Sequence, residues 1–324
     1  MRAIIPVAGV GSRLRPHTYA VPKVLLNVGG KLIVGHILDR LIENGFDEAT
    51  IVIGYLGEKI KEYVVRNYSI RVDFVEQEER LGLGHAIDLS RQTFSRDPIL
   101  IILGDTIFDV DLIALMNADC SVLGVREVED ARRFGVAETT DGYITKLVEK
   151  PDQPMSHLAL VGIYYVKNPH ILVECLRDEI KGNVRTRGEF QLTDALQMMI
   201  ERGERMKTFG IDGWNDCGKP ETLLETNRHM LEKQPTAVSR ADVVILPPVS
   251  VSKNAVVKHS VLGPYATVAD DAVVENAIIR NSIVSEGGRV SDSLLEDSIV
   301  GNNASVCGAY KRVNIGDSSE LEFD

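Results

Sequence analysis

The chain has 324 residues, a length that suits two domains better than one. Its net charge of −11 argues against nucleic acid as the main partner, because a protein that binds phosphate backbones needs a basic face. The four cysteines lack the C-x-x-C spacing of a zinc site, and no apolar stretch approaches the roughly 20 residues of a membrane-spanning helix. We therefore expect a cytoplasmic protein with reduced thiols and with neither a membrane nor a nucleic-acid partner.

Short β-rich runs alternate with helical patterns over the first third of the chain. The predicted strands are 3–7, 49–53, 72–76 and 99–103, and the predicted helices are 32–44, 58–67 and 84–94. This alternation predicts a parallel sheet covered by helices, whose ligands bind at the carboxyl ends of the strands. After residue 119 the pattern predicts further strands with a hairpin turn at Asp141-Gly142, then helices over 168–179 and 191–202.

The loop after the first predicted strand is rich in glycine and in basic residues. Gly9 and Gly11 allow backbone N–H groups to approach an anion closely, while Arg13, Arg15 and Lys23 add positive charge. The loop lacks the third glycine of the dinucleotide fingerprint, and no glycine is followed by Lys and then Ser or Thr as in a Walker loop. It therefore predicts a binding site for a nucleoside triphosphate that differs from both of these loops.

The sequence pattern changes near Gln234. From residue 251 to residue 306, aliphatic residues recur every five or six positions, with polar and small residues between them. No helical period fits this pattern, and the spacing is too short for hairpins of ordinary strands. We predict a β-solenoid of short stacked turns. The expected domains are therefore residues 1–234 and residues 235–324.

Several ordered motifs together resemble the sugar-1-phosphate nucleotidyltransferases, or nucleotide-sugar pyrophosphorylases. The resemblance runs from Met1 to about Arg228 and is carried by PVAGVGSRLRPHT with Pro22-Lys23, GLGHA, Gly104-Asp105, FGVAE, Glu149-Lys150-Pro151, EFQLTDA and WNDCGKPETLLETN. The predicted solenoid resembles the left-handed β-helix appended to some members of this family. The resemblance thus implies a Rossmann-like α/β domain with a mostly parallel sheet, followed by a left-handed parallel β-helix.

The resemblance also implies a role for each residue of the expected active site. Asp105 and Asp216 would hold Mg²⁺, Arg13 would stabilise the departing pyrophosphate, and Lys23 would contact phosphate oxygens during transfer. The residues implied to bind the nucleotide are Ala8, Gly9, Gly11, Ser12, Gln77 and Gly82, of which the last two would read the pyrimidine. The residues implied to bind the sugar phosphate are Gly135, Glu149, Lys150 and Gly162.

The implied reaction transfers a nucleotidyl group from UTP or dTTP to a hexose 1-phosphate, with release of pyrophosphate. Glucose 1-phosphate is the favoured acceptor, the enzyme resembles both the uridylyltransferases and the thymidylyltransferases, and a homo-oligomer is expected. Such a reaction needs no general base, because the attacking phosphate oxygen is already anionic. Two alternatives remain open: a non-catalytic regulatory or scaffold member of the same fold, and an N-acetylglucosamine-1-phosphate uridylyltransferase. Lys219 departs from the small polar residue that is frequent in the family.

Overall fold

The computed structural model describes residues 1–211, 213–234 and 240–308. The chain divides into two compact units, Met1–Thr226 and Asn227–Asp324. Each unit has a hydrophobic core of its own. In the described residues, no helix is long and apolar enough to cross a membrane.

The first unit contains thirteen described strands and most of the helices. The strands are β1 (Arg2–Pro6), β2 (Asn27–Val28), β3 (Lys31–Leu32), β4 (Glu48–Ile53), β5 (Arg71–Glu76), β6 (Ile99–Ile102), β7 (Thr106–Asp109), β8 (Ser121–Glu127), β9 (Gly135–Thr140), β10 (Tyr143–Glu149), β11 (Leu158–Val166), β12 (Met206–Gly210) and β13 (Gly213–Asp216). The helices are α1 (Ile33–Glu43), α2 (Gly57–Asn67), α3 (Leu83–Leu89), α4 (Leu112–Met116), α5 (Pro169–Lys181), α6 (Leu192–Glu201) and α7 (Pro220–Glu232). The boundary between the two units falls inside α7, after Thr226. Single 3₁₀ turns span Ser12–Leu14, Lys23–Leu25, Ser90–Gln92 and Ala131–Arg133.

The main sheet of the first unit is mixed and mainly parallel on the side that carries the glycine loop. Its strand order is β10-β9-β11-β6-β1-β4-β5, with β8 joined to β11 and β12. Strands β6, β1, β4 and β5 run parallel, so the loops that follow them emerge at one edge. This confirms the predicted parallel sheet and the predicted convergence of loops. Strand β11 runs antiparallel to β6, and β9 and β10 form the predicted hairpin, with Asp141 and Gly142 at positive φ.

A short antiparallel pair, β7 with β13, was not predicted from the sequence. Its register pairs Thr106 with Asp216, and the backbone N–H of Cys217 donates to the carbonyl oxygen of Asp105 at 3.0 Å. These contacts bring together two segments that lie far apart in the chain. As a result Asp216 lies beside the loop that follows β6.

The second unit contains a three-sided parallel β-helix. Its described strands are β14 (Val243–Ile245), β15 (Val249–Val251), β16 (Val256–Lys258), β17 (Ser260–Leu262), β18 (Ala266–Val268), β19 (Val273–Glu275), β20 (Ile278–Arg280), β21 (Ile283–Val284), β22 (Arg289–Ser291), β23 (Leu294–Glu296), β24 (Ile299–Val300) and β25 (Ser305–Cys307). They form three parallel sheets of four strands, and every third strand belongs to the same sheet. Side chains such as Leu262, Val274 and Ile279 fill the core.

The β-helix confirms the solenoid predicted from the aliphatic spacing. Each coil contributes one strand to each sheet, and equivalent positions are 17 residues apart between Ser260 and Ala277 and 16 residues apart between Ser282 and Ser298. Three turns of five or six residues account for these coil lengths. Residues at the corners, among them Asn276 and Asp292, adopt positive φ.

Candidate active site

The glycine loop after β1 is held in a defined shape by its own residues. Gly11 adopts φ 62° at the start of the Ser12–Leu14 turn, and its carbonyl oxygen accepts a hydrogen bond from Thr18 Oγ1 at 2.8 Å. Lys59 Nζ donates to the carbonyl oxygen of Ala20 at 2.8 Å and so fixes the far end of the loop. A Cβ on Gly9 would meet no protein atom within 4 Å, so a ligand can approach the backbone there.

A first cleft opens above this loop. The residues that line it include all six of the predicted nucleotide-binding residues, Ala8, Gly9, Gly11, Ser12, Gln77 and Gly82, together with Arg13, Lys23 and Asp105. Arg15 is not among them, because its guanidinium lies 5.0 Å from the ring centre of Tyr19. The structure therefore brings together the predicted triphosphate loop and the predicted pyrimidine-reading residues, while Arg15 contributes no side chain to the cleft.

The loop after β5 forms one wall of the first cleft. Gln77 is buried, and its amide nitrogen donates to the carbonyl oxygen of Gly82 at 3.0 Å and contacts His85 Nδ1 at 3.1 Å. The loop rests on the backbone of Phe190, whose N–H donates to Leu81 O at 2.8 Å and whose carbonyl oxygen accepts from Gly84 N at 2.9 Å. These contacts fix the orientation of Gln77 before any ligand arrives.

A second cleft adjoins the first. Its lining includes Gly135, Glu149, Lys150 and Gly162, the four residues predicted to bind the sugar phosphate, and also Asp216. One carboxylate oxygen of Glu149 pairs with Lys150 Nζ at 2.9 Å, and the other accepts from Thr193 Oγ1 at 2.7 Å. A Cβ on Gly135 would lie 2.9 Å from Thr193 Oγ1 and 3.1 Å from Glu149 Oε2. Glycine is therefore needed there to leave room for this hydrogen bond.

The two clefts meet at a small set of shared residues. Arg13, Asp105 and Glu189 line both of them, together with Leu83 and Leu103. One guanidinium and two carboxylates therefore lie where a ligand in one cleft would adjoin a ligand in the other. Such a junction suits a reaction in which two anionic substrates must be brought together.

The charges at the junction are strongly coupled. Lys23, itself buried, pairs through Nζ with Asp105 Oδ2 at 3.0 Å. Burial opposes ionisation of Asp105, but Lys23, Thr106 and Arg13 outweigh it and lower the pKa of Asp105. In Asp216, by contrast, burial and then the charge of Asp105 raise the pKa, although Lys23 and Arg13 act in the opposite direction. Asp105 is therefore held as the anion.

The two aspartates fit a divalent cation. Because the negative charge of Asp105 raises the pKa of Asp216, the two carboxylates repel each other across the junction, and a cation between them would remove that repulsion. Mg²⁺ takes oxygen ligands and is commonly bound by one or two carboxylates with substrate phosphates and water. Within the described ranges no group of three or more His, Cys, Asp or Glu side chains could hold a metal alone. The donor set therefore fits an ion whose remaining ligands come from phosphate and water.

Sequence reasoning did not single out every residue of the two clefts. Thr193 and Glu189 lie within the EFQLTDA motif, but neither was assigned a place in the site. Their position next to the start of α6 was the available signal. Lys219, the departure from the family pattern, lines the second cleft.

The chain resembles one known protein family and several known proteins. Residues 2–233 match the family described as nucleotidyl transferase. The chain is 35% identical over 266 residues to the bifunctional protein GlmU of Methanococcus maripaludis, an alignment that covers 80% of this chain and 60% of that protein. It is 28% identical over 361 residues to a glucose-1-phosphate thymidylyltransferase of Streptomyces griseus, with 100% of this chain and 99% of that protein covered.

A solved structure shows the same fold. The crystal structure of a UDP-glucose pyrophosphorylase complexed with UDP-glucose matches with a TM-score of 0.63 at 25% identity, covering 72% of this chain and 99% of that one. The chain spans 66% or less of the length of the first four curated relatives that it matches.

Proposed function

The chain belongs to the nucleotidyl transferase family, and one of its relatives is a glucose-1-phosphate thymidylyltransferase. We therefore propose that it transfers a nucleotidyl group from UTP or dTTP to glucose 1-phosphate. One observation carries the proposal: two adjoining clefts, one with the predicted nucleotide residues and one with the predicted sugar-phosphate residues, share Arg13 and Asp105. The products would be a nucleotide sugar and pyrophosphate.

In the proposed reaction, a phosphate oxygen of the sugar phosphate attacks the α-phosphorus of the nucleotide. A new P–O bond forms as the bond from the α-phosphorus to the pyrophosphate oxygen breaks, so no proton has to be removed. The chain would hold the two anions in line and neutralise charge at the junction. Lys23 and Arg13 would contact the phosphates, while Glu149, oriented by Thr193, would accept hydrogen bonds from the sugar hydroxyls.

A divalent cation is part of the proposal. Asp105 and Asp216 would hold Mg²⁺, which would supply further charge neutralisation on the phosphate oxygens. Lys23 would keep Asp105 ionised and oriented at the junction through their 3.0 Å ion pair.

The proposed preference for a pyrimidine nucleotide rests on Gln77 and Gly82. The amide oxygen of Gln77 can accept a hydrogen bond from the ring N–H that uracil and thymine share, while its amide nitrogen contacts Gly82 O and His85 Nδ1. The two bases differ by one methyl group, which is worth only about 1–3 kcal/mol in a pocket, so we propose that both nucleotides are used. Similarity to a thymidylyltransferase and to a UDP-glucose pyrophosphorylase supports this choice.

The test is a matrix of nucleoside triphosphates against sugar 1-phosphates, run with and without Mg²⁺. We expect nucleotide-sugar and pyrophosphate formation from UTP and dTTP with glucose 1-phosphate, and none without a divalent cation. Turnover only with N-acetylglucosamine 1-phosphate would replace glucose 1-phosphate by the other acceptor considered from the sequence. No turnover with any pair would support a non-catalytic role instead.

The variant Gln77→Ala tests the base-reading assignment. It should raise the KM for UTP and dTTP together, since it removes the amide from the wall of the nucleotide cleft. Gln92→Ala is the matched control, because Gln92 is exposed on the turn after α3 and does not line that cleft. An unchanged KM for both pyrimidine nucleotides in Gln77→Ala would remove Gln77 from the site.

A further inference from the structure

The hydrogen bonds of Gln77 determine which atom of its side-chain amide is free to meet a base. Both polar contacts of this amide are made by its nitrogen, Nε2, which lies 3.0 Å from Gly82 O and 3.1 Å from His85 Nδ1. A backbone carbonyl oxygen can only accept a hydrogen bond, so the amide atom beside Gly82 has to be the nitrogen. The orientation of the Gln77 amide therefore follows from its partners.

The carbonyl group of Gly82 is itself held in place by α3. Besides the hydrogen bond from Gln77, it accepts the first backbone hydrogen bond of that helix, from Ala86 N at 3.2 Å. Gly84, in the same turn, donates to Phe190 O at 2.9 Å and so ties the start of the helix to a second segment. The acceptor for one of the two amide hydrogens of Gln77 is therefore fixed by the fold.

His85 takes the other amide hydrogen of Gln77. It is the third residue of α3, it is half-buried, and in the part of the chain that the structure describes it lines neither cleft. Because Nε2 of Gln77 can only donate, Nδ1 of His85 has to accept, which requires a neutral imidazole with its proton on Nε2. Both hydrogens of the amide are then engaged within the protein.

We propose that His85 and Gly82 O together hold the amide of Gln77 with only its oxygen free for a base, and that His85 thereby sets a preference for uracil or thymine over cytosine. Oε1 of Gln77 accepts no hydrogen bond from any residue whose position the structure gives, and it is not one of the fully buried atoms that lack a partner. It is therefore available to a ligand in the nucleotide cleft, which Gln77 lines. His85 acts through Gln77 and is a positioning residue.

The proposed selection depends on the ring nitrogen N3 of the pyrimidine. In uracil and thymine N3 carries a hydrogen, which can be donated to Oε1 of Gln77. In cytosine N3 carries a lone pair, which would lie against the lone pairs of Oε1 and leave both atoms unpaired. Cytosine could bring its amino group to Oε1 only by sliding one ring position, which would displace its phosphates from Arg13 and Lys23. An amide with one free N–H, in contrast, could donate to N3 of cytosine.

The test, which rests on the proposed function, compares the natural chain with His85→Leu, His85→Asn and the control His170→Leu. Leucine offers no acceptor, so it frees one amide hydrogen of Gln77. Asparagine keeps an acceptor oxygen near the position of Nδ1 and should preserve the orientation of the amide. His170 is an exposed histidine on α5 that lines neither cleft among the described residues.

The measured quantity is the ratio of kcat/KM for UTP to kcat/KM for CTP, two nucleotides of nearly equal size. We expect this ratio to fall about tenfold or more in His85→Leu, because an unpaired polar group at the base costs about that factor. In His85→Asn and His170→Leu the ratio should stay within about twofold of that of the natural chain. If His85 only packed the helix, its loss would lower both values equally; an unchanged ratio in His85→Leu would overturn the proposal.

Binding of the nucleotide alone gives a result that does not depend on turnover. Calorimetric titration with UTP and with CTP, in the presence of Mg²⁺ and without sugar phosphate, should show the same fall in the affinity ratio for His85→Leu. Such a fall in a protein that turns over no sugar phosphate would retain the role of His85 and reject the proposed reaction. Failure of the natural chain to bind either nucleotide would reject both.

Nitrogen-15 NMR of the natural chain tests the hydrogen bond itself. The ring signals of His85, assigned by their loss in His85→Asn, should show the tautomer with the proton on Nε2 at about pH 8, because Nδ1 has to accept from Gln77. A proton on Nδ1 at that pH would place two donors against each other and would overturn the proposal.

Discussion

Gly82→Ala should selectively disable the nucleotide cleft. Gly82 adopts φ 115° and ψ 176°, a conformation that is essentially restricted to glycine, and forcing another residue into it costs about 1–3 kcal/mol. An added Cβ would also lie 2.3 Å from Phe190 O and 2.8 Å from Phe190 N, both backbone atoms that cannot rotate away. Crowding of this kind typically costs a further 1–3 kcal/mol.

The two costs together amount to about 2–6 kcal/mol, which displacement of the loop after β5 can relieve. Because that displacement breaks the hydrogen bond from Gln77 to Gly82 O, we expect the KM for UTP to rise roughly 30-fold or more, as about 2 kcal/mol corresponds to that factor. The KM for glucose 1-phosphate should rise much less, since Gly82 does not line the second cleft.

Gly142→Ala is the matched control for Gly82→Ala. Gly142 also has positive φ, at 79°, but an added Cβ would meet no atom within 4 Å, and the residue lies in a hairpin turn away from both clefts. It should lower the melting temperature slightly and leave both KM values unchanged. Steady-state kinetics gives the two KM values of each variant, and thermal denaturation gives its melting temperature. If Gly82→Ala matched Gly142→Ala in both measurements, the close packing of Gly82 on Phe190 would not control nucleotide binding.

Three further outcomes are expected. Asp216→Asn should abolish Mg²⁺-dependent turnover without loss of helical circular dichroism, and normal turnover at saturating Mg²⁺ would reject Asp216 as a metal ligand. Arg13→Ala should lower kcat by about 10²–10³, whereas Lys150→Ala should mainly raise the KM for the sugar phosphate; a loss of UTP binding alone in Lys150→Ala would reverse the assignment of the clefts. Because the folded-state pKa of Glu179, about 7, lies above its ordinary value of 4.5, its stabilising contribution is complete below pH 4.5 and is lost as the pH rises through 7. Urea denaturation should therefore show Glu179→Gln gaining up to about 3 kcal/mol relative to the natural chain between pH 5 and pH 8.

The sequence predicted the parts of the site that lie in single loops next to strands. Gly9 and Gly11 follow a buried strand closely, with Lys23 further along the same connection, and the parallel arrangement of β1, β4 and β6 was implied by the alternation of elements. Since such loops all emerge at one edge, their convergence on one cleft follows from topology alone. The coil period of the β-helix was equally visible, because each short turn repeats its aliphatic residue.

The sequence did not predict contacts between segments that lie far apart in the chain. The pairing of β7 with β13 joins residues about 108 positions apart, and no local pattern specifies its register. Glu179 is the last residue of a predicted helix, where a glutamate normally faces water, yet it is fully buried because the entrance of α6 packs over it. Tertiary packing decided both features, as it decides the pKa of any carboxyl group.

The uniform coil of the β-helix constrains how this part of the chain can change in length. Consecutive coils stack residue on residue in all three sheets, with a repeat of 16 or 17 positions. One extra residue inside a strand would turn inward-facing side chains outward and break the alignment with the coils on either side. The corners absorb single residues, whereas any larger change must add or remove an entire coil. The β-helix can therefore lengthen or shorten only by whole coils of 16 or 17 residues, apart from single residues at the corners.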